Sequence, residues 1–329
     1  MNPFEYRRAE QMQAAIQGVS GAAGAKFLAG GTNLIDLMKN GVEKPPRLVD
    51  INRLPVNKIE PLPGGGLRLG ALARNSDTAN HPLVRKNYPL LSQAILSGAS
   101  PQLRNLATNG GNLLQRTRCP YFMDPGFSQC NKRAPGSGCG AIEGINRRHA
   151  ILGTSEHCIA VHPSDMAVAL AALGATVQVR GPRGERAIPI AEFHRLPGDT
   201  PQIDTTLRAD ELIYAIDLPA SPYAQHSRYL KIRDRASYDF ALVSVAAALE
   251  IANNTVRSAR LALGGVAHKP WRSDKAEALL QGKPLNAETF KAAAEEALSG
   301  ARAQKQNAYK IDLAKRAIVR ALTLAGGVA

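Results

Sequence analysis

Four cysteines, Cys119, Cys130, Cys139 and Cys158, fall within one 40-residue window, and the other 289 positions of the 329-residue chain have none. Thiols gathered in this way suit either disulfides or a soft metal centre. A disulfide framework is the device of small secreted domains without a core, whereas a chain of this length can bury roughly three quarters of its unfolded surface. One metal site would use every cysteine at once. The intervening gaps of ten, eight and eighteen residues contain neither the Cys-x-x-Cys knuckle of structural zinc nor the tight ferredoxin run. Spacing leaves the metal open between zinc and iron–sulfur. His149, His157 and His162 are near in the chain, but with four cysteines available a histidine is read as a non-ligand.

A second kind of chemistry is suggested by two glycine pairs, Gly30-Gly31-Thr32-Asn33-Leu34 and Thr108-Asn109-Gly110-Gly111-Asn112-Leu113. Glycine pairs between a strand and a helix let backbone N–H groups converge on an anion, and the helix terminus adds a favourable dipole. That suits a pyrophosphate. Neither segment matches Gly-x-Gly-x-x-Gly or the Gly-Lys-Ser/Thr loop, so a nicotinamide-type fold and a phosphate-loop NTPase are poorly supported. One Gly-Gly alone is a plain tight turn. Two, each followed by Asn-Leu, point to a paired site.

The elements that must carry these residues follow an α/β pattern at first. Helical spacing of Ala9, Met12 and Ile16 precedes a short strand, Lys26 to Ala29, that runs into the first glycine pair. A helix is expected from Leu34 to Met38, strands at Arg47 to Ile51 and Leu67 to Ala71 after the hairpin signal Gly64-Gly65-Gly66, and one helix from Leu83 to Leu96. Between Arg116 and Arg148 neither period persists, and eight Gly or Pro residues accompany three of the cysteines. This reads as an inserted loop organised by a ligand. Ser164 is placed to cap a helix through Leu173 with Asp165 in its first turn, and Thr176 to Ile190 reads as a hairpin around Gly181-Pro182-Arg183-Gly184. After the strand Leu212 to Leu218, the patch Pro219 to Pro222 marks a domain boundary. Beyond it, strands at Arg228 to Arg233 and Val256 to Leu263, with helices near Ala276, Ala293 and Ala317, give an α+β part. The single tryptophan, Trp271, is read as a packing anchor.

Composition excludes several classes. Hydrophobic residues are 44% and charged residues 21%, ordinary globular usage. The longest apolar stretch, Phe240 to Leu249, is far short of the ~20 residues that span a bilayer. The amino terminus has arginines but no apolar segment or cleavage site after them, so it does not read as a secretory signal. With 41 Lys and Arg against 27 Asp and Glu, the formal charge is +14. The basic residues are spread out and aromatics are 5%, so a solvated face or docking to acidic partner subunits is expected rather than nucleic-acid binding.

Phe27-Leu28-Ala29-Gly30-Gly31-Thr32-Asn33-Leu34, Ala99-Ser100-Pro101-Gln102-Leu103-Arg104-Asn105 and Ala107 to Leu113 resemble the FAD-binding subunit of the xanthine oxidase family. The resemblance covers essentially the whole chain. It continues through His162-Pro163-Ser164-Asp165-Met166-Ala167 and Lys231-Ile232-Arg233-Asp234-Arg235-Ala236-Ser237-Tyr238. It implies an α+β protein. A two-part FAD-binding domain, PCMH-type and vanillyl-alcohol-oxidase-like, would span 1–220 as subdomains of about 1–55 and 56–220. A carboxy-terminal domain like that of the carbon monoxide dehydrogenase flavoprotein would span 221–329. The segment Cys119-Pro120-Tyr121, Cys130-Asn131-Lys132-Arg133 and Pro135-Gly136-Ser137-Gly138-Cys139 is similar to the FAD subunit of the periplasmic aldehyde oxidoreductases. It would be an insertion at about 116–158 carrying a [4Fe–4S] cluster on Cys119, Cys130, Cys139 and Cys158. Four thiolates on that core leave a net charge of −2, and Arg116, Arg118, Lys132, Arg133, Arg147 and Arg148 outnumber Asp124 and Glu143 nearby, an excess expected to stabilise the anion.

Carried over residue by residue, the resemblance implies that Phe27, Leu28, Ala29, Gly30, Gly31, Thr32, Asn33 and Leu34, with Thr108, Gly111, Asn112 and Leu113, hold the FAD pyrophosphate and ribityl chain, Lys26 and Ala99 lying beside them. Asp165 would accept from a ribityl hydroxyl. Lys231 would be a cation near the flavin ring that favours its reduced form. The sequence departs from much of the family at Thr108-Asn109, where Thr-Ile or Ser-Leu is common. The implied partners are a molybdopterin-binding large subunit, where the aldehyde is oxidised, and a small [2Fe–2S] subunit, in a heterotrimer that delivers electrons to an external acceptor at the flavin. No nucleic acid and no membrane insertion are expected. The periplasm is implied by co-export with a signal-bearing partner, the cytoplasm being the alternative. Two rival readings remain: a stand-alone FAD-dependent oxidase or dehydrogenase, and a basic zinc module that binds nucleic acid with steep salt dependence.

Overall fold

A computed structural model describes residues 1–328, which build three sheets in chain order. The first subdomain is β1 (Glu5–Arg8), α1 (Met12–Ser20), β2 (Lys26–Leu28), α2 (Leu34–Lys39) and β3 (Arg47–Asp50), in a parallel sheet of order β1-β3-β2. Its small core joins Ile16 and Val19 of α1 to Val49 of β3. β1 was not visible in the sequence. Its residues Glu-Tyr-Arg-Arg are all exposed, so no alternation of apolar and polar residues marks it.

The second subdomain holds β4 (Ile59–Pro61), β5 (Leu67–Gly70), α3 (Asn75–Asn80), α4 (Pro82–Asn87), α5 (Pro89–Ser97), α6 (Pro101–Arg104), α7 (Asn109–Leu113), α8 (Pro120–Met123), α9 (Gly140–Glu143), α10 (Asp165–Leu173), β6 (Thr176–Gly181), β7 (Gly184–Pro189), α11 (Ile190–Phe193) and β8 (Leu212–Leu218). The strands form one antiparallel sheet of order β4-β5-β8-β6-β7. The single helix expected over Leu83 to Leu96 is two helices. Pro89 forces Tyr88 out of helical geometry, at φ −136° and ψ 52°, and starts α5 afresh.

The third part is β9 (Ser227–Ile232), β10 (Val243–Ala252), β11 (Thr255–Gly264), β12 (Trp271–Arg272), α12 (Asp274–Leu280), α13 (Ala287–Ala297) and α14 (Tyr309–Gly326), with antiparallel sheet order β12-β11-β10-β9. The apolar run that excluded a membrane span is β10, its centre strand. Ala246 and Ala248 face the core of the second subdomain, with α10, while Val243, Val245, Ala247 and Leu249 face α13 and α14. A strand covered on both faces reads as a continuous apolar run, which hid its period of two. Among the described residues no helix is long and apolar enough to cross a membrane.

Candidate functional site

The two glycine segments meet. A Cβ on Gly30 would lie 2.1 Å from the Leu106 carbonyl oxygen, so only glycine lets β2's exit pass that close to the approach to α7. Gly31 adopts φ +73°, turning the chain into α2. Asn33 does not cap α2. Its Oδ1 accepts from the Arg116 N–H at 3.0 Å, and its buried Nδ2 has no partner. Among the described residues, the N–H groups of Gly30, Gly31, Thr32 and Asn33 also find no protein acceptor.

The second segment behaves differently. It is the first turn of α7, capped by Thr108, whose Oγ1 accepts from Gly111 N–H at 3.2 Å. The N–H groups of Asn109 and Gly110 go to Ala73 and Ala71 carbonyls at 3.0 and 2.8 Å. An anion cradle of free amides is therefore found at the first segment and not at the second, whose amides are spent on capping and on joining α7 to the end of β5. Asn109 is fully buried and bonds to Thr78, Asn75 and the Gly70 carbonyl, while Asn112 bonds to Asn75 and Ser164. Ser164 in turn caps α10 through Ala167 N–H at 2.9 Å, as the sequence predicts.

Together these segments line a cleft of about 1100 Å³. Lys26 to Leu34, Ala99, Thr108, Gly111, Asn112, Asp165 and Lys231 all reach it. Leu113 does not: it closes the core against α10, and its carbonyl accepts from His194 Nε2 at 2.9 Å. Lys231 is not a free cation. Its Nζ lies 2.8 Å from Asp165 Oδ2, with both side chains buried, and Tyr229 donates to Asp165 Oδ1 at 2.7 Å. Both Asp165 oxygens are engaged, each with one lone pair left for a hydroxyl. Ala99, at φ +51°, follows directly on Gly98, which packs on Asp165. Sequence reasoning missed Asn75, Gln202, Asp204, Tyr238 and Phe240 in the lining. Only Tyr238 lay in a quoted motif, and the others arrive from distant elements.

The four cysteines fold to one place beside this cleft. Cys130 and Cys139 form an antiparallel bridge, and Asn131 ties that turn to the chain before Cys158 through the His157 carbonyl at 3.1 Å. Burial pushes the Cys119 thiol up to about 12 and the Cys158 thiol to about 11, and each also feels two other cysteines of the set. His149 Nε2 sits 3.1 Å from Cys119 Sγ. Among the described residues no three His, Cys, Asp or Glu side chains are arranged to hold a single metal ion. His157 is half exposed and faces Asp199, as a non-ligand would.

The cations of the insertion are not in excess around the thiols. Arg116 pairs with Glu43 and Asp204, Arg118 with Asp36, Lys132 with Asp204, Arg147 with Asp234, and Arg148 with Asp234 and Asp239. Arg133 is spent on the carbonyls of Tyr121, Phe122 and Phe127. Burial alone would raise the Asp204 carboxyl, but Lys132 and Arg116 outweigh it and hold that group well below the ordinary carboxylate range. Beside it lie the buried His194 and His268 and the half-buried His162, with His162 and His194 rings 4.2 Å apart. Burial holds His194 and His268 down at about 4 and His162 well below its ordinary value.

A dinucleotide fits the cleft on three counts: its size, the free amides around Gly31, and the partnerless buried atoms Asn33 Nδ2, Arg118 Nε and Gln202 Oε1, all on residues of its lining. The chain matches the FAD binding domain in molybdopterin dehydrogenase over residues 2–221 and the CO dehydrogenase flavoprotein C-terminal domain over residues 228–325. It belongs to the family of FAD-binding subunits of molybdopterin dehydrogenases. Within that family it is 51% identical over 324 residues to the aldehyde oxidoreductase FAD-binding subunit PaoB of Escherichia coli (strain K12), covering 98% of each chain. It is 28% identical over 298 residues to the carbon monoxide dehydrogenase medium chain of Hydrogenophaga pseudoflava, covering 90% of this chain and 86% of the other. A solved structure of carbon monoxide dehydrogenase from Hydrogenophaga pseudoflava superposes with a TM-score of 0.77 at 27% identity, covering 99% of each chain.

Proposed function

We propose that this chain is the electron-transferring FAD subunit of a molybdenum-containing aldehyde oxidoreductase, assembled with a molybdopterin-binding large subunit and a [2Fe–2S] small subunit, and that its four cysteines hold a [4Fe–4S] cluster. The observation that carries the flavin part is the cleft with its row of unpaired amides from Gly30 to Asn33. Those amides suit the pyrophosphate, and Asn33 Nδ2 is placed to donate to it. The buried Lys231–Asp165 pair holds a polar but neutral wall, and the exposed rings of Tyr238 and Phe240 also line the cleft. Bound FAD supplies a group that takes up electrons one or two at a time, which suits a place between single-electron carriers and an external acceptor. The aldehyde comes from the 51% identical relative, whose name carries it.

For the cluster, support lies in the donor set: four thiols dispersed over 40 residues, Cys130 and Cys158 buried and Cys119 and Cys139 half-buried, with Cys130 bridged to Cys139. Because Cys119 and Cys158 are held protonated by burial, loading must release protons. An anaerobic absorption spectrum with iron, zinc and acid-labile sulfide assays tests both parts. The expected result is a flavin band on a broad brown shoulder, with about four iron and four sulfide per FAD. A colourless protein holding one zinc overturns the reading. A yellow protein without iron overturns the cluster alone.

A further inference from the structure

One ion pair joins the two sites. Lys132, two residues after Cys130 and with its side chain 1% exposed, bonds to Asp204 Oδ1 and donates to the Pro201 carbonyl at 2.7 Å. Asp204 lies on the cleft wall, and its other oxygen takes Arg116 Nε at 2.8 Å. Arg116 in turn reaches Glu43 at 2.7 Å, on the wall carrying the first glycine segment, and its N–H holds Asn33 Oδ1. On the other side Lys132 follows Cys130 and Asn131, and Asn131 Nδ2 donates at 3.1 Å to the carbonyl of His157, the residue before Cys158. Charge-assisted bonds thus run from the cysteine segment through Lys132 and Asp204 to Arg116, whose main-chain N–H then holds Asn33 beside the free amides. Arg118–Asp36 adds a parallel strut between the same two bodies.

We infer that Lys132 is a positioning residue that couples the two sites, so that filling the thiol site tightens the hold of the cleft on FAD. This rests on the reading that the thiols carry a cluster. The physical reason is that the segment has only two single-turn helices and two isolated bridges, Cys130 with Cys139 and Ser155 with Cys158, so little regular backbone pairing fixes it and a bound ligand would add to its order. When the segment is ordered, the Lys132 ammonium is fixed against Asp204, and Asp204 fixes Arg116 and Asn33 in the geometry that meets the pyrophosphate. Linkage makes the effect on affinity reciprocal, so bound FAD must also tighten the hold on the cluster.

The test uses the assembled enzyme, with FAD release followed by the rise in flavin fluorescence on dilution, before and after anaerobic chelation of iron, and with iron and sulfide assayed in each sample. In the wild type, stripping the iron is expected to speed release about tenfold or more. Lys132→Met leaves Asp204 paired with Arg116, so the fold is retained, and it is expected to release FAD at the same rate with and without iron. Asp204→Asn also unpairs Arg116 and strands the buried Lys132 ammonium, so it should release FAD faster in both states with no dependence on iron, and adding Lys132→Met should slow that release again. A merely structural lysine would quicken release in both states and leave the ratio intact, which overturns the inference, as does an unchanged wild-type rate after stripping. Iron and sulfide missing from the wild type as isolated would instead sink the cluster reading and this inference with it.

Discussion

Acid should open the joint between the cleft and the cysteine segment before it touches any carboxylate. His149, His194 and His268 are buried neutral at 5, 3 and 5% exposure, and each is held at about 4 against an ordinary value of 6.5. The unfolded chain therefore binds more protons than the folded one between pH 6.5 and about 4. Stability is fully present above pH 6.5 and falls as the pH drops through that window. At 1.36 kcal/mol per unit, lowering the pH to about 5 costs about 2 kcal/mol for each histidine, or about 8 once His162, also held well below its ordinary value, joins these three, against a total of about 5–15 for a typical protein. The carboxylates held low, Asp204 and Glu211, contribute loss only below their ordinary values of 3.8 and 4.5. Lys310, buried in α14 and pushed down to about 7 by burial, gives the same sign above neutrality, so stability continues to rise toward alkaline pH. Urea midpoints of the isolated chain, read by far-ultraviolet circular dichroism and flavin fluorescence at several pH values from 8 to 5, measure the slope. Replacing His194 by Gln, which keeps a donor for the Leu113 carbonyl, should flatten it by about a quarter. A midpoint that does not move between pH 7 and 5, or a variant with the wild-type slope, would refute the reasoning.

Gly30→Ala drives a Cβ into the Leu106 carbonyl at 2.1 Å. Relief by parting the two segments costs about 1–3 kcal/mol, so the FAD dissociation constant should rise about 5- to 150-fold by titration calorimetry, and an unchanged constant would mean the contact is not part of the site. Asp165→Asn strands the buried Lys231 ammonium and should destabilise the chain by about 3–5 kcal/mol in urea denaturation. Adding Lys231→Met should recover much of that loss, and a double variant as weak as the single would show that the pair is not the cause. Cys130→Ser should lower iron and sulfide content to near zero. If assembly, FAD content and turnover all survive that change, a role for the cysteine site in electron transfer is wrong.

Much of the scaffold was legible because it is written locally. The Ser164 cap, the hairpin of β6 and β7 and the strand into Gly30 each follow from neighbours within a few residues. The elements that escaped are those whose stabilisation is not local: polar β1, held only by pairing with β3, and β10, apolar on both faces because two different cores claim them.

The sequence by itself determined the cysteine set, the paired glycine segments and the α+β order, since residue type, spacing and turn chemistry depend on covalent neighbours alone. The tertiary structure decided the electrostatics. A count along the chain leaves the cysteine segment strongly basic, yet Asp36, Glu43, Asp204, Asp234 and Asp239 come from three other parts of the fold to neutralise it. It likewise turned Lys231 from a free cation into half of a buried pair, placed Leu113 in the core, and left the free amides on the first glycine segment only. Charge acts through space over several ångströms, and a buried group's partner is whichever residue the packing delivers, so no reading along the chain could have assigned these partners.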